Sequence, residues 1–82
     1  MSQTSRLVWL ALDRIPARQR EVLVLHEIEA RTLVEIAALL DVPHGTVKSR
    51  LRVARGRFKA AMLHVERAPG PNAALRAEPT RD

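Results

Sequence analysis

At 82 residues the chain has room for one small domain, with a core so limited that every apolar face needs a partner. It has no Cys, which excludes disulfide frameworks, Cys-type zinc sites and thiol catalysis, and no apolar run approaches the roughly 20 residues that span a bilayer. The net charge of +5 is unevenly placed: residues 1–41 carry five Arg against six acids, whereas residues 42–67 carry seven Lys or Arg against Glu66 alone. Such a local basic block points to a polyanionic partner.

Four helices are predicted, with no strand alternation and no internal repeat. The first runs from about Ser5 to Leu12 or Asp13, and Val8, Ala11, Leu12 and Ile15 fall on one narrow arc at 100° per residue. Its stretch "LVWLAL" (7–12) lacks the length and basic lead-in of a signal peptide, so a soluble, cytoplasmic chain without membrane contact is expected. Leu7 and Trp9 flank the arc and Leu10 lies opposite it, which makes these three residues a candidate partner interface. The second helix opens with Pro16, tolerated where its missing N–H has no intrahelical partner, buries Val22, Leu23, Leu25 and Ile28, and ends near Glu29.

Thr32 is placed to cap the third helix, and Glu35 three positions on completes the capping-box spacing. Leu33, Ile36, Ala37 and Leu40 form its buried side. The fourth helix starts near Pro43 and runs to about Val65, with Val47, Leu51, Ala54, Phe58, Met62 and Val65 as its apolar stripe. Residues 68–82, with three Pro, one Gly and few large apolar side chains, are expected to lack fixed structure, leaving residues 1–67 as the domain.

Only two or three residues separate the last two helices, too few for antiparallel contact along their length, which is the spacing of a helix-turn-helix. Asp41 stands where the turn calls for a left-handed residue, a conformation Asp tolerates better than most. With the apolar stripe turned inward, Gly45, Thr46, Ser49, Arg52, Val53 and Gly56 point outward, with Lys48 on one flank and Arg50 and Arg57 on the other. Small polar residues at the centre admit base edges, and long cations at the rim reach phosphates. The fold class expected is therefore all-α: a four-helix domain with a C-terminal helix-turn-helix, winged-helix-like but without strands.

The stretch "LDRIPARQREVLVLHEIEARTLVEIAALLDVPHGTVKSRLRVARGRFKAAM" (12–62) resembles region 4 of bacterial RNA polymerase sigma factors of the extracytoplasmic-function type, on the strength of "RQREV", "EIA" and "GTVKSRL" at matching separations. The resemblance implies binding to the promoter −35 element through the last helix, docking on the flap of the polymerase β subunit, and a possible anti-sigma factor as partner. It implies base-edge contacts from Lys48, Ser49 and Arg52, and phosphate contacts from Arg31, Thr32, Thr46, Arg50, Arg55 and Arg57. The helical projection sets Lys48 and Arg55 nearer the buried side, leaving Arg55 an alternative role toward Glu35 or Glu27.

Three positions depart from the family pattern. Val53 replaces an Arg on the DNA-facing side, where it could touch a thymine methyl or contribute nothing. Ala30 replaces the Gly that ends the second helix, so that turn is strained or the helix runs on. Arg31 replaces an apolar residue ahead of the third helix.

His26, His44 and His64 lack ligand spacing, and no nucleophile has an adjacent base, so no metal, cofactor or enzymatic activity is expected. A sigma factor also needs a part that opens and reads the −10 element. The chain is thus read as a piece of a longer sigma factor or, alternatively, as a free-standing module that binds an anti-sigma factor or polymerase as a decoy; its oligomeric state is left open.

Overall fold

A computed structural model of the protein describes residues 2–67; the expectation for 68–82 lies outside the described residues. Four helices, α1 (Gln3–Asp13), α2 (Ala17–Leu23), α3 (Leu33–Leu40) and α4 (His44–Arg67), account for nearly all of it, and there is no strand among the described residues. The all-α helix-turn-helix class read from the sequence is the fold observed.

α1 begins two residues before its expected start because the Ser2 side chain accepts from the Ser5 N–H at 3.1 Å, a local cap too weak to read from spacing. Pro16 sits just outside α2 as its N-cap residue. Past Leu23 the chain winds on without a break as a π-helical segment, Val24–Ile28, closed by Glu29 N–H to Val24 C=O at 3.0 Å. The wider turn advances less per residue, so the chain lags behind the arc that a 3.6-residue period assigns. Ile28, expected inside, is therefore 50% exposed, while Val22 and Leu23 are buried as anticipated.

α3 carries the full capping box: Glu35 N–H to Thr32 Oγ1 at 3.1 Å, and Thr32 N–H to Glu35 Oε1 at 2.8 Å. It ends at Asp41, whose φ of 55° is left-handed as expected, and Val42 N–H then closes onto Ala37 C=O at 3.1 Å. That six-to-one closure, with Val42 packed on the core, is how a three-residue turn redirects the chain into α4.

Leu12, Ile15, Val22, Leu23, Ile36, Val47, Leu51 and Ala54 form one core cluster, and Val8 and Phe58 pack against it. α4 packs against α1, α2 and α3 alike, so every element bears on the helix that carries the basic face. Further along its stripe Ala61 is the buried residue and Met62 and Val65 are half-buried, a one-residue offset from the expected spacing.

Candidate nucleic-acid interface

The outward face of α4 is open. Lys48, Ser49, Arg52 and Arg57 are exposed, while Thr46, Arg50 and Val53 are half-buried along one flank. A Cβ built on Gly45 or Gly56 meets nothing within 4 Å. Glycine inside a helix costs about 1 kcal/mol relative to alanine, and no neighbouring chain segment demands it at Gly56, so what it keeps clear is space outside the domain. Lys48, which the projection had set near the buried side, points to solvent.

None of Lys48, Arg50, Arg52, Arg57 or Lys59 has an acidic partner within ion-pair distance among the described residues. The unneutralised charge follows from the sequence, which has no acid between Asp41 and Glu66. Arg55 is different. Its Nε and Nη2 both donate to Glu27 Oε2, at 3.1 and 2.6 Å, and His26 Nδ1 lies 3.2 Å from the same oxygen. The Arg55 hydrogen bond, followed by that of His26, holds the Glu27 carboxyl below its usual value. Arg55 thus pairs with Glu27 on the surface through two of its nitrogens, while its side chain stays 56% exposed.

At the start of α3, Arg31 is exposed, with its Nε 3.7 Å from Glu29 Oε1. Thr32 keeps only its hydroxyl proton for an outside acceptor, because Glu35 takes its backbone N–H and itself donates to Oγ1. The backbone hydrogen bond from Thr32 also draws the Glu35 carboxyl below its usual range. The Glu35 carboxylate thus stands at this terminus beside Thr32, with Arg31 the exposed cation next to it.

Trp9 and Leu10 are exposed at 45% and 52%, and Leu7 is half-buried. On the other side of α1, sequence reasoning missed a groove of about 300 Å³ between Val8, Leu12, Leu23, Ile28 and Phe58, with the Glu27–Arg55 pair at its edge. The signal for it was concealed in the π-helical turn that brings Ile28 out. The three histidines lie apart, and no cluster that could hold a metal occurs among the described residues. No helix among them is long and apolar enough to cross a membrane.

Residues 5–58 match the family described as Sigma-70, region 4. The chain belongs to that family. As a region 4 domain it is not an enzyme. It is 38% identical over 69 residues to the ECF RNA polymerase sigma factor EcfG of Rhodopseudomonas palustris, covering 82% of this chain and 38% of that protein. It is 43% identical over 55 residues to the ECF RNA polymerase sigma factor SigW of Bacillus subtilis, covering 67% of this chain and 28% of that protein. With the ECF RNA polymerase sigma factor SigM of Mycobacterium tuberculosis it shares 38% over 56 residues, 68% of this chain and 29% of the relative. The region 4 domain thus spans about a third of the length of the curated relatives it matches. No solved structure matches it.

Proposed function

We propose that residues 1–67 act as the −35-binding domain of an extracytoplasmic-function sigma factor, in the cytoplasm, with α4 entering the major groove of promoter DNA. The observation that carries this reading is the open, unpaired cationic face around Gly45, Ser49, Arg52 and Gly56. Ser49 and Arg52 read base edges with Lys48 beside them, and Arg50, Arg57, Thr46 and Arg31 hold phosphates. Thr32 contributes at most a hydroxyl, and Arg55 braces α4 through its surface pair with Glu27.

RNA polymerase core, through its β-subunit flap, is the protein partner proposed for the apolar surfaces of α1; an anti-sigma factor is the other. The exposed Trp9 and Leu10 also support a second reading, in which the domain works through protein contacts alone as a decoy.

Alanine variants separate these readings. Arg52→Ala is expected to cost about 1–3 kcal/mol for one preferred base, relaxing specificity at that position alone. Arg50→Ala should weaken all sequences alike and lower the salt slope by about one unit. Binding titrations on promoter and scrambled duplexes at several salt concentrations measure both, and an Arg52→Ala variant that weakens every duplex equally overturns the assignment.

A further inference from the structure

We infer that Val53 reads the C5-methyl group of a pyrimidine in the bound duplex; the inference rests on the DNA-reading proposal and names the chemistry at one point of its surface. Val53 is half-buried, yet it is not among the half-buried apolar side chains that pack on the core. Part of its surface stays open to solvent, on the flank of α4 that it shares with Thr46 and Arg50. It stands one turn from Ser49 and from Gly56, where nothing lies within 4 Å of a would-be Cβ, so a ligand can approach the helix closely beside it. Arg50 and Arg57, three residues before it and four after, carry no ion pair among the described residues and can hold the backbone on that flank.

The chemistry of valine narrows what it can recognise. It has no hydrogen-bonding group, and inside a helix β-branching holds it in essentially one rotamer, so its two methyls present a fixed apolar surface. In the major groove the apolar feature of a base pair is the C5-methyl of thymine, and cytosine offers the same feature only when methylated at C5. Covering one methyl stabilises a complex by about three- to fivefold.

The test selects duplexes from a randomised pool with the full 82-residue chain at low salt, then measures affinities by fluorescence anisotropy. Each thymine of the selected site is replaced in turn by deoxyuridine, which removes only the methyl. One replacement is expected to weaken the wild-type protein three- to fivefold and to leave Val53→Ala unaffected, while Arg52→Ala retains the full penalty. Val53→Thr, which keeps one methyl, should fall between. Thermal melts of Val53→Ala and Val53→Thr check that each variant is folded under the titration conditions, because Val53 is half-buried. Cytosine and 5-methylcytosine at the same position separate the two carriers: a gain on methylation says that either base serves, and no gain assigns the contact to thymine. A selected site in which no thymine is sensitive to uridine, or in which the penalty survives Val53→Ala, overturns the inference and leaves the DNA-reading proposal standing. A pool that yields no sequence preference at all overturns that proposal and this inference with it.

Discussion

Ala30 holds a φ of 56°, a conformation that costs an L-residue about 1–2 kcal/mol unless it is glycine. The missing glycine was visible in the sequence, but not which of two outcomes would follow, a strained turn or a longer helix. The cap decides it: Thr32 and Glu35 fix where α3 begins, and Arg31 N–H bonds back to Leu25 C=O at 3.0 Å, which leaves Ala30 to make the bend. Ala30→Gly should therefore stabilise the domain by about 1 kcal/mol, partly offset by the greater freedom of glycine in the unfolded chain. Thermal denaturation should show a rise of about 4–8 °C with DNA affinity unchanged. Asp41 occupies the same region at a φ of 55°, as the sequence leads one to expect for a short turn at a residue that tolerates the left-handed conformation better than most.

Helix by helix, periodicity located α1, α3 and α4 and most of their buried residues, since each follows the 3.6-residue repeat that the reading assumes. It failed on the C-terminal half of the second helix, where one widened turn moves Ile28 outward and brings Glu27 to Arg55; no local residue pattern announces such a turn. The open face of α4 was legible from the inward stripe alone, whereas the fate of Arg55 depended on a residue 28 positions away. The Glu27–Arg55 link has a pH signature. Because the folded protein holds the Glu27 carboxyl below its ordinary value of 4.5, the stabilisation is fully present above that value and is lost as pH falls through the depressed one. Both side chains are about half exposed, so the pair contributes less than about 1 kcal/mol. Melts across pH should show Glu27→Gln a few degrees below the wild type near neutrality, the gap closing in acid; a gap that persists there removes the link from the pH response.

At the scale of the whole molecule the domain presents a cationic face on α4 and two apolar surfaces on α1: the Leu7, Trp9 and Leu10 side, and the groove edged by Ile28. Ile28→Asp and Leu10→Asp touch exposed positions, so each should leave folding and DNA affinity intact. We expect Ile28→Asp to reduce capture of polymerase core at least fivefold, since burying an isoleucine against a partner is worth roughly 1.5–3 kcal/mol. Loss with Leu10→Asp instead would move the contact to the other side of α1, and full capture by both variants would remove polymerase from these surfaces.

α4 holds two alphabets on one rod. The residues that anchor it to its neighbours, Val47, Leu51 and Ala54, interleave with Ser49, Arg52, Val53 and Gly56 on the outer side without overlapping them. Outer letters can thus be rewritten one at a time while the inner ones stay fixed. Descendants of this chain can change the outer face without first passing through unfolded intermediates, and a designer could graft a different outer alphabet onto the same inner one.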